Sequence, residues 1–396
     1  MTNNQEFDFV ISGAGLVGCL VTIQLAKLGL NCCLVEKNEI KNIPSFDNYS
    51  PLSLNYKSYL ALKSFGLWDK IQSYTYPIRN LNIKSYHSLN RLSFNAKDIY
   101  LNDLGYVIDR RNLLQEFLNQ IKKQPNIKIY DQDSISKFKM NHDNNYKLTG
   151  ELSSGLTLKA KYLIVSDGIS SKIKNELNIQ SLVIDYAQTS FIFNSTASFK
   201  KFHAIQVFNK YGIFAGIPYG DNKINFILTI NKKDIPVFFN DKNKINIDLI
   251  KDIFKDYANE ISTLKLVSQY DLITSRSKEI SKDNILLLGN SSQLLHPVGA
   301  QGFNLAVSNI ESLINHLVNG KLDIEGLVTA IAESRDSVFN NIDLAINVLG
   351  GDKFPSKLLS FFVMNSIKSS QVMKNNFLKN ILGIDNYPYL NIGTDS

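Results

Sequence analysis

Six residues near the N-terminus restrict what this chain can fold into more than any other feature. Gly13-Ala14-Gly15-Leu16-Val17-Gly18 follows an apolar run at 7–12 and opens a stretch, 16–28, whose apolar residues recur at helical spacing. A second apolar run at 31–36 ends on Glu36, and Gly29 stands where the helix between the runs must stop. Strand, glycine turn, helix and strand make a βαβ unit with parallel strands. The glycines permit a tight turn, a close approach of backbone to a diphosphate, and close packing of helix on strand. The helix then offers free N–H groups and a positive dipole end to the phosphates. Glu36, 23 residues after Gly13, stands where a carboxylate accepts hydrogen bonds from a ribose. This unit predicts dinucleotide binding and does not separate FAD from NAD.

Two later segments narrow the choice. Tyr162-Leu163-Ile164-Val165-Ser166-Asp167-Gly168 is a short buried strand that ends on a carboxylate, on the ligand side of an open α/β sheet. Residues 284–288 form another such strand, followed by Gly289-Asn290-Ser291-Ser292-Gln293 and then by His296-Pro297-Val298-Gly299-Ala300-Gln301-Gly302-Phe303-Asn304. That glycine-rich loop runs into a helical stretch at 303–317. Its backbone can wrap a flat polar ring, and the helix N-terminus stabilises negative charge there. A reduced flavin carries such charge.

Between these segments the pattern changes. Runs at 190–199, 203–208, 212–218 and 223–231 are short and β-rich, and 219–222 is a hairpin connection. An antiparallel sheet is therefore expected inside a parallel α/β frame. Lys and Arg outnumber Asp and Glu by 43 to 36, but the basic residues are scattered and carry no recognition motif, which argues against nucleic acid. Cys19, Cys32 and Cys33 form no Cys-x-x-Cys pair, so a reducing compartment is expected. The five histidines show no i, i+3 or i, i+4 pairing, so no metal site is expected. There is no signal-peptide pattern, and the apolar runs are too short to span a bilayer. The expected location is cytoplasmic, with at most a peripheral contact on the inner face of the membrane.

The three cofactor segments, in this order and spacing, resemble the class A flavoprotein monooxygenases with the para-hydroxybenzoate hydroxylase fold. Within them the chain is most similar to the hydroxylases of ubiquinone biosynthesis, which act on polyprenylated phenols. The resemblance implies an FAD-binding Rossmann-like α/β domain with an inserted antiparallel β-sheet substrate domain and C-terminal helices. On this basis 1–75, 106–178 and 276–345 make a discontinuous FAD-binding domain, 76–105 and 179–275 the substrate domain, and 346–396 a C-terminal helical region. It implies NAD(P)H and O₂ as co-substrates, a hydrophobic phenolic substrate, and other quinone-biosynthesis enzymes as partners.

Roles carry over where residues match. Gly13, Ala14, Gly15, Gly18, Glu36 and Lys37 would contact the ADP half of FAD. Arg110 matches an arginine that contacts FAD, and Asp167 and Gly168 match the Asp-Gly motif. Gly289, Asn290, Pro297, Gly302, Phe303 and Asn304 match the turn and loop beside the ring. No acid or base is identified; His296 and the Pro297 backbone are the candidates, with a structural loop histidine as the competing role. Four positions depart from the common pattern: Tyr49, Lys174, Asn290 and Asn309 stand where Arg, Arg, Asp and Asp are frequent. A flavin-binding scaffold without turnover, or a reductase or epoxidase on the same fold, are the alternatives. Finally, 353–384 contains no acidic residue, and its five lysines are interleaved with large apolar residues. That pattern suits either a membrane-surface helix or a helix packed on the protein's own core.

Overall fold

The computed structural model describes residues 5–40, 50–86, 91–141, 146–240, 244–320, 324–349 and 354–384; side chains are described for all of these except 324–325 and 354–360. Tyr49 lies outside this set. The first sheet has five parallel strands in the order Ile285–Leu287, Thr157–Val165, Gln5–Ser12, Cys32–Glu36, Ile127–Asp131. Two antiparallel strands, Leu148–Leu152 and Ile135–Met140, fold onto Thr157–Val165, and Ser281–Lys282 closes one edge.

The apolar runs are continuous because both faces of this sheet are covered. Phe9, Ile11, Cys32, Leu34 and Ile164 pack under the helices Leu16–Lys27, Arg110–Ile121 and Gln301–Val318. Their neighbours Val10, Cys33, Val35, Leu163 and Val165 enter a second cluster on the opposite face. Adjacent Cys32 and Cys33 thus point to opposite sides, and all three thiols are free and buried. Helix Leu16–Lys27 ends as expected: Gly29 has φ +82°, with N–H bonds from Gly29 to Ala26 and from Leu30 to Leu25.

The second sheet is ordered Gln293–Leu294, Ala258–Ser277, Ser181–Phe199, Lys223–Asn231, Gly212–Gly220, His203–Asn209, Asn80–Ser85, Arg91–Asn95. It is antiparallel apart from the pair His203–Asn209 with Asn80–Ser85. The expected hairpin closes through Asp221 and Asn222, with Asn222 at φ +56°. Three features differ from the sequence expectation. The first strand begins at Ser181 rather than 190, and its long partner Ala258–Ser277 was not anticipated, because most of its middle is exposed and polar. A third sheet of Pro51–Asn55, Gly105–Asp109 and Thr75–Ile78 was also not anticipated.

Cross-strand register divides the second sheet into two faces. Phe191, Phe193, Phe226 and Leu228 face Phe238, Ile250 and Phe254 of two short helices. On the other face, Ile83, Phe208 and Ile213 cluster with Val298 and with Met364, Ile367, Leu378, Leu382 and Ile384. The helices Phe354–Ser369 and Gln371–Leu382 therefore pack on the sheet. Phe94 stacks on Phe377 with centroids 5.6 Å apart, and Lys374 pairs with Asp98 at 2.7 Å. Among the described residues no helix is long and apolar enough to cross a membrane.

Candidate FAD site

Parallel register brings the three motif segments to one sheet edge. Ser12 pairs with Val165, and Val165 with Leu287, so Gly13, Ser166 and Leu288 follow side by side. Contact there is close. A Cβ on Gly13 would lie 2.7 Å from the Ser166 carbonyl, and one on Gly18 would lie 1.9 Å from the Gly13 carbonyl. A Cβ on Gly15 would meet nothing within 4 Å. The outer glycines are thus demanded by protein packing, and the middle one leaves open space where a ligand can approach.

Serine hydroxyls tie the segments together. Ser166 Oγ lies 2.9 and 3.1 Å from the carbonyls of Ser12 and Gly13, and Ser291 Oγ lies 2.6 Å from the Val165 carbonyl. Glu36 accepts the Ala14 N–H at 2.8 Å on one oxygen, and both the N–H and side-chain amide of Asn38 on the other. A carboxylate has about four acceptor sites, so one remains on the oxygen facing Ala14. Asp167 accepts Ser171 Oγ at 3.1 Å on Oδ2, while its buried Oδ1 has no partner. Burial raises the Asp167 pKa, opposed by that hydrogen bond and by nearby Lys37. Lys174 is buried and its pKa is lowered by burial, with Asp167 opposing.

Helix capping also distinguishes the site. Among helices of eight or more residues with a described N-cap, four carry a side-chain cap, from Asn55, Asp109, Asn246 and Ser370. The two without one are Leu16–Lys27 and Gln301–Val318, which open from the two glycine-rich loops. Their first N–H groups and positive dipole ends have no side-chain cap.

Arg110 presents a third positive group. Asp109 is neutralised by Arg111, whereas the Arg110 side chain has no partner among the described residues. It is solvent-exposed, and desolvation by neighbouring protein lowers its pKa. Its N–H donates to Ser50 at 2.9 Å, just before strand Pro51–Asn55. The same strand holds Asn304, which accepts the Asn55 N–H at 3.0 Å and donates to Ser53 and Ala300. The Asn304 side chain is therefore spent on the chain itself, fixing where the loop meets the helix.

Within the loop, Gly299 (φ +70°) and Ala300 (φ +53°) are consecutive left-handed residues that kink the chain into helix Gln301–Val318. Gly302 opens onto free space and Phe303 packs partly on the core. Gly289 also needs its conformation, at φ +65° with Val17 3.0 Å from where a Cβ would lie. Asn290, at the exposed tip of that turn, has no side-chain partner among the described residues. Asn309 is buried with both amide atoms unpaired, and a neutral amide is cheaper to leave there than an aspartate.

His296 is buried and held at both nitrogens. Nδ1 accepts the Val298 N–H at 3.2 Å, so the ring proton sits on Nε2, which donates to Gln188 Oε1 at 3.2 Å. Tyr186 meets the ring edge-on at 5.0 Å and donates to Asp343. Burial pushes the His296 pKa down to about 4. Sequence reasoning missed Tyr186, Gln188 and the bracing serines; nothing local to those residues marks them.

These features suit FAD: open backbone at Gly15 and Gly302, an orphaned Asp167 oxygen, two uncapped helix starts and an unpaired Arg110. Residues 6–340 match the FAD binding domain family. The chain belongs to that family. Relatives of this FAD-binding chain include a ubiquinone hydroxylase of Neisseria meningitidis serogroup C, 22% identical over 393 residues, covering 95% of this chain and 84% of that protein. The 3-demethoxyubiquinol 3-hydroxylase of Escherichia coli K12 is 23% identical, covering 96% and 100%. Among solved structures, p-nitrophenol 4-monooxygenase from Pseudomonas putida DLL-E4 superposes with a TM-score of 0.75 at 14% identity, covering 96% and 99%. They share the fold.

Two expectations follow. Asn290→Leu should lose flavin while the apoprotein stays folded, and Asn290→Asp should keep it; FAD content after gel filtration decides, and full occupancy in the leucine variant rules out a contact. His296 is neutral in the fold down to about 4, against an ordinary 6.5. As pH falls from 6.5 toward 4, the unfolded chain takes up a proton that the folded one refuses. About 3 kcal/mol of stability should therefore be lost across that window and be present in full above it. Urea titrations at pH 7 and pH 4.5 should show a larger loss of stability in wild type than in His296→Gln; equal losses in the two proteins would show that the ring is not buried neutral.

Proposed function

We propose that this FAD enzyme uses NAD(P)H and O₂ to hydroxylate an aromatic ring, and that its substrate is a polyprenylated phenol of ubiquinone biosynthesis. The observation that carries this is the near-complete coverage of ubiquinone hydroxylases by a chain whose open glycines, orphaned carboxylate and uncapped helices suit FAD. A bound flavin would supply the redox chemistry, passing two electrons from NAD(P)H to O₂ so that one oxygen atom enters an electron-rich ring and the other leaves as water. The protein positions, excludes water and stabilises charge. Glu36, with the glycine turn, holds the ADP half; Asp167 and Asn290 accept hydroxyl hydrogen bonds; Arg110 and Lys37 offset negative charge. The uncapped start of Gln301–Val318 stabilises charge on the ring. His296 keeps the Val298 N–H engaged and so fixes the turn that carries Pro297.

The second sheet offers a floor for the substrate. Ile192, Ala215 and Ile227 lie on the same face as Ile213 and Phe208 and stay half-buried. Such a strip accepts a ring and the start of an apolar tail. The test is turnover under ¹⁸O₂ with a panel of prenylated phenols. Phenol-stimulated NAD(P)H oxidation should accompany one ¹⁸O per product. Firmly bound FAD with neither outcome would favour the scaffold alternative.

Such a substrate partitions into lipid, and we propose that the C-terminal helices rest on the cytoplasmic face of a membrane. The surface is narrower than the sequence pattern implies. Met364, Ile367, Leu378 and Leu382 are buried, and Lys374 is paired, whereas Phe361, Phe362, Val372 and Met373 are exposed. Exposed apolar residues in a stretch without acidic groups suit an anionic surface. Removing the helices would also strip the core, so surface changes are the proper test. Phe361→Ser with Phe362→Ser should reduce co-sedimentation with phosphatidylglycerol vesicles at low salt about tenfold, as expected for losing two buried aromatic contacts. Equal binding by both proteins would reject the surface.

A further inference from the structure

Behind the Gly289–Ser291 turn lies a buried guanidinium that the cofactor contacts leave without a task. Arg335, on helix Ile324–Leu349, is 5% exposed. Its Nη1 donates to the Ser277 carbonyl at 2.9 Å, and its Nε lies 3.2 Å from Asp336 Oδ1. Ser277 donates its N–H to the Ser292 carbonyl at 3.0 Å and its hydroxyl to the Ser291 carbonyl at 3.3 Å. Ser291 Oγ reaches the carbonyl of Val165, whose strand ends beside Gly13. One unbroken path of hydrogen bonds therefore runs from Arg335 through the turn to the strand edge where all three cofactor segments meet.

Charge at this place is unusual. Arg276 Nη1 also uses Asp336 Oδ1, at 3.3 Å, and its guanidinium lies over Phe339 with 5.5 Å to the ring centroid. Among the described residues Asp336 is the one carboxylate paired with either arginine, so two cations share one anion. Burying a guanidinium costs several kcal/mol before its hydrogen bonds are counted, and an apolar side chain of similar length often packs such a position as well or better. Helix-to-sheet packing alone does not call for an arginine here. The position of its donor does, because Nη1 fixes the Ser277 carbonyl while the Ser277 hydroxyl and N–H reach the turn and the residue after it.

We propose that Arg335 is a positioning residue for the turn Gly289-Asn290-Ser291, acting through Ser277, so that the affinity of the chain for FAD depends on a side chain that does not touch it. The proposal rests on the FAD reading of the site and not on the identity of the hydroxylated substrate.

The test measures FAD dissociation constants by quenching of FAD fluorescence, without NAD(P)H or phenol, in parallel with apoprotein melting curves. Arg335→Met should weaken FAD about tenfold, on the scale of one hydrogen bond to a charged group. Arg335→Lys, whose ammonium can still donate to the Ser277 carbonyl, should recover most of that loss. Ser277→Ala should weaken FAD by severalfold, and the double variant should bind no worse than Arg335→Met alone, because both changes release the same turn. A dissociation constant for Arg335→Met within twofold of wild type overturns the proposal, as do multiplicative effects in the double variant. Should Arg335→Met fail to fold, unchanged FAD affinity in Ser277→Ala overturns it instead. Wild-type protein that binds no FAD overturns the cofactor reading and this proposal together, whereas absence of phenol turnover leaves these constants as the deciding measurement.

Discussion

Parallel pairing of Gln5–Ser12, Thr157–Val165 and Ile285–Leu287 is the constraint on which the site depends. Each strand hands over to a turn at the same edge, so segments more than a hundred residues apart in sequence meet within hydrogen-bonding distance. Register is fixed because alternate residues enter two different cores: Ile11, Leu34 and Ile164 on one face, Val10, Val35 and Leu163 on the other. A one-residue slip would turn every one of these side chains to the wrong layer. Gly13 and Gly18 then allow the first turn to lie against Ser166 and Asp167 at a separation that a Cβ would forbid.

What the sequence made legible follows from how local each signal is. The glycine turn, its helix and the C-terminal Gly29 are specified within a few residues, and they stand where the pattern places them. Asp167 and the 296–304 loop were legible for the same reason. The strand Ala258–Ser277 was not, because its middle alternates little and is mostly exposed, and it exists through pairing with Ser181–Phe199. The small sheet around Gly105–Asp109 escaped in the same way, joining strands from three separate segments. In the candidate site, residues could be proposed as ligand contacts from their motifs, but Ser166, Ser277 and Ser291 could not be told from any other serine. Their importance lies in which distant carbonyl each one reaches.

Two helix starts add backbone dipoles to the side-chain charges at the site. Among helices of eight or more residues with a described N-cap, four receive a side-chain cap at their start, whereas the two that begin at the glycine-rich loops do not. An Asp or Ser at Gly15 or Ala300 would satisfy those N–H groups and place an oxygen where an anionic cofactor needs donors. Leaving helix starts uncapped costs stability in the free protein, of the order of 1 kcal/mol each, and ligand binding offsets it. Arg110 follows the same logic: its neighbour Arg111 takes Asp109, and the Arg110 side chain has no partner among the described residues.

The C-terminal helices cannot be regarded as an appendage. Their buried residues share one cluster with Val298 of the loop and with Ile83, Phe208 and Ile213 of the second sheet. Gln301, the first residue of the uncapped helix, reaches the Ile381 carbonyl at 3.4 Å. The helix pair therefore packs against the loop through Val298 and Gln301, and any force on its exposed residues Phe361, Phe362, Val372 and Met373 acts on a body in contact with that loop. A substrate with a long apolar tail needs both a dry place for its ring and a route from lipid. The proposed membrane contact and the core packing use different faces of one helix pair, with Met364, Ile367, Leu378 and Leu382 inside and Phe361, Phe362, Val372 and Met373 outside.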